Sequence, residues 1–211
     1  MARKACIGLF FVFLFLSTLC VAQKNEFSVS VGATVASGTK GTFCNIFNFV
    51  ICNPVQFGLA TSTAASYEGT YARQLGDFRV GTLYIELPIL GIPGRNVHDE
   101  GLRFSGSNNS GIFVTPSLRL KMLPKSWISP FASAGGGFAY FGNSFGLSNT
   151  SAAGQLGIGA DFKSPIRYLG FRVEARDFIT GRPKIEQAFG GNSVPNHQHN
   201  LFMGGGVVLH F

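Results

Sequence analysis

The sequence has few charged residues, and after its first 22 residues it has no long apolar run. Charged side chains make up 13% of the 211 residues, about half of the ~25% that is typical of soluble domains. With 45% hydrophobic residues, the chain is too apolar for a disordered protein, which combines low hydrophobicity with high charge. It also contains 28 glycines, and each glycine inside a helix costs about 1 kcal/mol. A disordered chain and a helical bundle are therefore excluded, and the 22 phenylalanines favour strands and contact with lipid.

Positive charge is present but is not concentrated anywhere. The formal net charge is +7, yet no basic run is longer than two residues. Proteins that bind nucleic acids cluster their basic residues on one face or along one helix. We therefore expect no nucleic-acid partner.

The N-terminus has the features of an export signal. It combines a positively charged start, an apolar run over residues 7–21 and small residues up to Ala22. The apolar run is shorter than the ~20 residues that a membrane-spanning helix needs. The pattern predicts a cleavable secretory signal peptide over residues 1–22 and one mature domain over residues 23–211.

The cysteines divide between the signal peptide and the mature chain. Cys6 and Cys20 precede the cleavage site. An alternative lipoprotein signal would make Cys20 the lipidated residue, but Leu19 stands where such signals normally carry a small residue. Cys44 and Cys52 remain in the mature chain. An even pair of cysteines in an exported protein predicts a disulfide, and so short a loop would gain about 2–3 kcal/mol from it.

Apolar and polar residues alternate along the mature chain. The clearest case has Leu83, Ile85 and Leu87 on one parity and Tyr84 and Glu86 on the other. Period-two alternation is typical of strands with two different faces. Similar alternation covers residues 26–35, 112–122, 155–162, 169–176 and 201–211, and residues 58–73 and 128–142 follow it less cleanly. The pattern predicts eight strands, each long enough for the 9–11 residues that cross a membrane.

The predicted connections between strands alternate between short and long. Short turns are expected at residues 75–77, 124–127 and 164–166, and longer polar loops at residues 37–57, 91–110, 143–151 and 180–198. Short periplasmic turns and long external loops are typical of bacterial outer-membrane barrels. A sixteen-stranded porin is excluded, because sixteen spans of about ten residues would leave too few residues for the connections.

With its signal peptide, its eight alternating strands and its terminal VVLHF at residues 207–211, the chain resembles the small OmpA/OmpX-type outer-membrane β-barrels. The resemblance covers nearly all of the mature chain and is architectural rather than specific to individual residues. It implies an all-β fold, an eight-stranded antiparallel up-and-down transmembrane β-barrel that is monomeric. It also implies that Phe211 is an assembly signal for the machinery that inserts barrels into the outer membrane.

Parity assigns nine charged residues to the barrel interior. They are Glu26, Glu68, Glu86, Arg119, Lys121, Asp161, Arg172, Glu174 and Arg176. An eight-stranded barrel is barely wide enough for its own side chains, and an unpaired buried charge is costly. We therefore expect a lumen that is plugged by ion pairs, with a narrow gated pore as the alternative.

Catalysis is the other class of function to consider, because some eight-stranded barrels are lipid A acyl hydrolases or acyltransferases. Such enzymes need a nucleophile, a histidine and usually an acid close together. His98, Asp99 and Glu100 lie in the second long loop, and His197 and His199 lie near the fourth. The run HQHN is similar to the His-x-Ser-Asn motif of the deacylases, but His199 replaces the serine nucleophile. A metal shared by the two later histidines is a further alternative, but solvated loop histidines are favoured. We expect no catalytic residues, no cofactor and no metal.

The sequence thus predicts a non-enzymatic bacterial outer-membrane barrel with a structural or surface-interaction role through its external loops. Its expected partners are outer-membrane lipids, the insertion machinery and an extracellular ligand that the sequence does not identify. The alternatives are a lipid-modifying enzyme, a narrow pore and a soluble lipocalin-like barrel. A lipocalin would turn its apolar parity inward, and the run of Arg172, Glu174 and Arg176 beside Gly170 argues against it.

Overall fold

The computed structural model describes most of residues 23–211. The described residues are 25–37, 39–44, 54–61, 63–99, 107–143, 148–181 and 197–211. The predicted signal peptide, Cys52 and Glu100 lie outside them. Within these residues, no helix has the length and apolar character needed to cross a membrane.

The described residues form eleven strand segments. In chain order they are β1 (Asn25–Ala36), β2 (Thr39–Cys44), β3 (Pro54–Thr61), β4 (Ala64–Asp77), β5 (Gly81–Asp99), β6 (Ser107–Val114), β7 (Ser117–Met122), β8 (Ile128–Asn143), β9 (Ser148–Lys163), β10 (Leu169–Gly181) and β11 (His197–His210). Strands of this length suit a membrane-spanning barrel, whose strands are tilted and need about 9–11 residues to cross the hydrocarbon core.

The segments close into a barrel of eight antiparallel strands. β6 and β7 together form one spanning strand between β5 and β8, and β2 and β3 form a hairpin that extends one end of the barrel through contacts with β5. β1 pairs with β4 on one side and with β11 on the other, from Glu26 opposite His210 to Ala36 opposite Asn200. Closure leaves the spanning strands without an edge. The predicted eight-stranded antiparallel barrel is confirmed.

Two prolines explain why one spanning strand is divided into β6 and β7. Pro116 lies between the two segments, and Pro88 lies on the neighbouring strand in the corresponding gap of the ladder, between Glu86 opposite Ser117 and Ile89 opposite Val114. Proline has no N–H to donate to the ladder. The regular pairing therefore stops at this level and resumes on either side.

The first short turn lies three residues later than the sequence predicts. Residues 75–77 belong to β4, and the turn is closed by Phe78 and Gly81, which exchange backbone hydrogen bonds of 2.7 and 3.2 Å. Gly76, which indicated the turn, instead lies at a register shift between β4 and β5. A glycine inside a strand often marks such a bulge, and the extra residue moves the turn along the chain.

The two faces of the barrel wall differ sharply in polarity. Apolar side chains cover the outside; examples are Val31, Ile85, Leu156, Ile158 and Met203. The largest fully buried side chains are instead three arginines, Arg119, Arg172 and Arg176. An apolar outside and a polar inside are what a lipid bilayer requires of a closed barrel. This is the reverse of the arrangement in a lipocalin-like soluble barrel.

Exposed aromatic residues surround the end of the barrel that carries the short turns. They are Phe27, Tyr71, Phe78, Trp127, Tyr168 and Phe211. Aromatic rings favour the headgroup region of a membrane, so this ring of side chains marks one membrane interface.

Candidate functional site

The nine charged residues that parity assigns to the interior all lie there in the structure. They are contributed by six of the eight spanning strands: β1, β4, β5, the β6/β7 strand through its β7 segment, and β9 and β10, which together supply four of them. None of the nine is more than 6% exposed. A strand keeps one face inward between register shifts. The shifts in β4 and β5 come after Glu68 and after Glu86, so simple parity and the structure agree for these side chains.

Near the short-turn end, two acids share three cations. Lys121 Nζ lies 2.9 Å from Glu26 Oε1 and 2.7 Å from Asp161 Oδ2. Arg172 donates from Nε and Nη2 to the two oxygens of Asp161, at 2.7 and 3.1 Å. Arg119 donates to Glu26, and Arg172 Nη2 lies 3.6 Å from the same carboxylate. Each carboxylate therefore faces at least two cations.

Further into the lumen, Arg176 is the centre of a second group. Its Nη1 lies 2.8 Å from Glu86 Oε1, and its Nε lies 3.1 Å from Glu68 Oε1 and 2.9 Å from Glu174 Oε2. Arg119 Nε lies 3.5 Å from Glu86 Oε2 and so joins this group to the first. All nine charges consequently belong to one continuous network.

Hydroxyl groups from neighbouring strands complete the network. Ser30 donates to Glu174 at 2.6 Å, and Ser117 donates to Glu86 at 2.9 Å. Buried polar groups carry a large penalty when they lack hydrogen-bond partners. The small polar residues on the inward parity therefore have a definite role that sequence alone does not reveal.

Aromatic rings cover two of the arginines. The guanidinium carbon of Arg119 lies 4.8 Å from the centre of the Tyr84 ring, and that of Arg172 lies 4.8 Å from the centre of the Phe131 ring. Such cation–π contacts are strongest where water is excluded. Gly159 makes room for the Phe131 ring, because a Cβ atom at this position would lie 2.4 Å from the ring atom Cζ.

Beyond Arg176 an apolar cluster fills much of the interior, beside buried polar residues such as Thr34, opposite Phe202, and Gln155, opposite Phe178. The buried cluster at this level contains Ala64, Leu90, Ile92, Phe113, Ala139, Ala153, Phe178 and Phe202, with Phe141 packed against it. The Phe113 ring centre lies 5.2 Å from that of Phe178 and 5.5 Å from that of Phe141. These distances fall in the favourable range for aromatic pairs. We call this cluster the phenylalanine layer.

A tenth charged residue, Arg95, lies inside the barrel. The sequence predicted a long loop over residues 91–110, but β5 continues to Asp99 and so includes Arg95. Arg95 has the same parity as Ile85 and Ile89, whose side chains face outward, yet it is only 7% exposed. Between Ile92 and Arg95 the register with β6 shifts by one residue. Such a bulge turns the following side chains to the other face. Pro93 and Gly94 are the sequence signal that was missed, since both residues weaken a regular strand.

The candidate catalytic residues fall into two groups. The side chains of His98 and Asp99 and all of Glu100 lie outside the described residues. The other group is on the outer surface, where His199 Nδ1 lies 2.6 Å from Asp177 Oδ2.

Ser37, which directly follows the neighbouring strand β1, accepts a hydrogen bond from the backbone N–H of His199 at 3.1 Å. The His197 and His199 rings are 5.6 Å apart. Among the described side chains, no group of three metal ligands occurs.

The two remaining predicted site features lie at opposite ends of the barrel. Phe211 exchanges backbone hydrogen bonds with Asn25, at 2.7 and 2.9 Å, and so joins the last strand to the first. At the other end, Cys44 pairs with Pro54 in the β2–β3 hairpin. The Cys44 side chain and all of Cys52 lie outside the described residues, so their disulfide stays a prediction.

Comparison with known proteins identifies the fold. No family model and no curated protein matches the sequence. Among solved structures, the outer membrane protein OprG from Pseudomonas aeruginosa matches with a TM-score of 0.57 and 12% identity over 90% of this chain and 96% of OprG.

Neisserial surface protein A matches with a TM-score of 0.48 and 10% identity, over 90% of this chain and 99% of that one. The attachment invasion locus protein of Yersinia pestis has a TM-score of 0.41 and 12% identity, over 88% and 99% of the two chains. The likeness to OprG shows a shared fold at very low sequence identity.

Proposed function

Because the chain is an eight-stranded β-barrel of the bacterial outer membrane, we propose that it is a monomeric, non-conducting scaffold. In this proposal the barrel anchors the external loops at the cell surface, where they contact an extracellular partner or support the envelope. The barrel insertion machinery recognises it during assembly, and outer-membrane lipids surround it afterwards.

The closed lumen is the observation that supports a scaffold over a pore. A solute would have to pass both the nine-charge network and the phenylalanine layer. The two obstacles are of opposite chemical character, so neither a polar nor an apolar solute has a favourable path through both. A pore would instead need a continuous polar lining wide enough for water.

Conductance measurements test the closed lumen. Wild-type protein in a planar lipid bilayer should give no current steps at moderate voltage. The double variant F178A/F202A, which removes two rings of the phenylalanine layer, should give brief current steps that wild type lacks. The exposed double variant F78A/Y168A is the matched control and should remain silent. Regular current steps from wild-type protein would favour the narrow-pore alternative.

The role of the loops is tested by shortening one of them. Residues 182–196 can be replaced by a short Gly-Ser turn that leaves β10 and β11 intact. Heat-modifiable gel mobility should be unchanged, because strand pairing does not depend on this segment. In a strain that lacks the gene, rescue of detergent resistance by wild type and not by the shortened variant would support a role for the loop. Rescue by both would support a purely structural barrel, and rescue by neither would contradict the scaffold proposal.

A second candidate function is a lipid-modifying enzyme of the lipid A acyl hydrolase or transferase type. The contact that favours it is the Asp177–His199 pair, since an acid that orients a histidine is a recurring part of hydrolase sites. Ser37 is a candidate nucleophile beside this pair, but its described hydrogen bond is to the His199 backbone rather than to the ring. A fluorophosphonate probe would label Ser37 in the wild type, and not in H199A, if this candidate is correct. The S37A variant is the control for labelling elsewhere.

A further inference from the structure

We propose that the long-loop end of the lumen binds a soluble oxyanion, a phosphate or sulfate group, on the guanidinium of Arg95. The site lies beyond the phenylalanine layer, on the side of the external loops. It is separate from the ion-pair network and does not depend on whether the loops contact a partner.

A register shift in β5 places the Arg95 side chain inside the barrel. Without the register shift between Ile92 and Arg95, this side chain would share the outward face with Ile89. An arginine on the lipid face of a barrel is costly near the bilayer midplane and much less so near the interface. A bulge that re-aims one side chain is typical of sites with a function.

One edge of the Arg95 guanidinium has no hydrogen-bond partner among the described residues. Arg95 Nη1 donates to Asn200 Oδ1 at 2.9 Å. Its Nε and Nη2 atoms are buried and have no hydrogen-bond partner in the described part of the chain. These two N–H groups point the same way and form the fork that binds two oxygens of a carboxylate or phosphate.

Arg172, in the same lumen, shows a guanidinium whose Nε and Nη2 groups both have an acceptor. Its Nε and Nη2 atoms donate to the two oxygens of Asp161, at 2.7 and 3.1 Å. Each of the other buried cations of the network likewise lies within 4 Å of at least one carboxylate oxygen. Among the ion pairs of the described residues, Arg95 has no acidic partner. A buried cation without a counter-charge is costly, so an anion from outside the described chain would relieve it.

Asn200 adds a further donor to the same place. Its amide oxygen is fixed as the acceptor by Arg95, which leaves the Nδ2 group as a donor. This Nδ2 atom is buried and has no partner among the described residues. The unsatisfied groups on Arg95 and Asn200 are therefore all donors, and a tetrahedral oxyanion offers acceptors in several directions. An uncharged acceptor would leave the positive charge without compensation.

Access favours a soluble ligand rather than a membrane headgroup. Asn200 lies two residues beyond Phe202 on the inward face of β11, toward the long-loop end. Membrane headgroups contact the outside of the barrel wall, whereas Arg95 faces its interior. The ligand would therefore enter from the external medium as free phosphate, sulfate or a phosphorylated or sulfated sugar.

Thermal unfolding in defined anions tests the proposal. The full mature chain, refolded in phospholipid-free detergent, is titrated with inorganic phosphate, sulfate, glucose 6-phosphate or chloride at constant ionic strength. Unfolding is followed by the fluorescence of Trp127, the only tryptophan. We expect phosphate and sulfate to raise the Tm of the wild type in a saturable way and chloride to have no such effect. R95Q should lose the response, and the charge-matched control R79Q, at an exposed turn, should keep it.

A second variant and a phosphorus NMR titration keep the proposal testable if R95Q does not fold. If R95Q does not fold, R95K keeps the charge but not the two-pronged fork, and its apparent affinity for phosphate should fall at least tenfold. Saturable broadening of the phosphate signal in phosphorus NMR gives an independent readout. A response that appears only after anionic phospholipid is added would assign the oxyanion to a headgroup. A wild-type protein without any saturable response, or equal loss in R79Q, would overturn the proposal.

Discussion

The ion-pair network makes a quantitative prediction at Arg176. This side chain is fully buried and holds Glu68, Glu86 and Glu174 at 2.8–3.1 Å. Methionine is an apolar side chain of nearly comparable length, so R176M removes the charge with little loss of packing. Breaking a buried ion pair by removing one partner typically costs about 3–5 kcal/mol. We expect a loss of this size or somewhat more, because three carboxylates lose their common cation.

A second substitution separates the electrostatic effect from a packing effect. After the loss of Arg176, Glu86 still faces Arg119 at 3.5 Å, and Glu174 still accepts a hydrogen bond from Ser30. Among the described residues, Glu68 then keeps only the hydroxyl of Thr70 as a hydrogen-bond donor, at 2.8 Å. The substitution E68Q should therefore be destabilising in the wild type but should recover about 1–3 kcal/mol in R176M, which is the usual range for coupled neighbours.

Reversible urea unfolding in liposomes, followed by Trp127 fluorescence and by gel mobility, measures both effects. R79M is the matched control, because Arg79 lies at an exposed turn where substitutions usually change stability by less than about 0.5 kcal/mol. If R176M unfolds within about 1 kcal/mol of wild type, the network does not have the energetic role argued here. Strict additivity of E68Q and R176M would show that the loss in R176M comes from packing.

Three other predictions concern the barrel wall, the first long loop and the last strand. I85R should cost about 2–4 kcal/mol in liposome unfolding and V80R, at an exposed turn, about 0–1; equal costs would contradict the assignment of Ile85 to lipid. Cys44 and Cys52 should form a disulfide in envelope-purified protein by non-reducing mass spectrometry, and two free thiols would refute it. Deletion of Phe211 should sharply lower the amount inserted in cells while refolding in detergent stays nearly normal. Loss in both settings would instead point to a packing requirement.

The alternation of apolar and polar residues is sufficient to predict most of the strands and which face of each points inward. Strand β10 shows why. From Leu169 to Gly181 this strand has no register shift with either neighbour. Its inward positions are therefore simply every second residue, and Arg172 and Arg176 could be assigned without knowing their partners. Closure of the sheet follows once eight such strands are counted, because open edges are not tolerated in lipid.

Two local features limit this reasoning, and both involve an inserted residue. Gly76 indicates a turn by composition but lies at a register shift in the β4–β5 pair. Pro93 and Gly94 accompany the shift that moves Arg95 from the outward to the inward face. A one-residue slip reverses every later side chain of a strand. Glycine and proline in the sequence mark where a register shift can occur. Whether it occurs depends on whether the paired segment of the neighbouring strand is one residue shorter, which the sequence of one strand does not reveal.

The identity of the ion-pair partners is also beyond sequence reasoning. Arg119 and Glu26 are 93 positions apart in the chain and lie on strands that are not neighbours in the sheet. Their contact depends on strand tilt and on the stagger of the whole barrel. Balanced charge on the inward parity therefore predicts that pairing occurs but does not predict which residues pair.

The order of layers in the lumen explains how so many charges are stabilised in a narrow space. Buried ion pairs repay their desolvation only when geometry is good and the remaining polar atoms find partners. Here the rings of Tyr84 and Phe131 cover the arginines near the short turns, and the phenylalanine layer closes the other side. Both covers keep water from screening the pairs, which strengthens each attraction. The same layer separates Arg95 from the carboxylates of the network. An anion that neutralises Arg95 would therefore have to come from the side of the external loops.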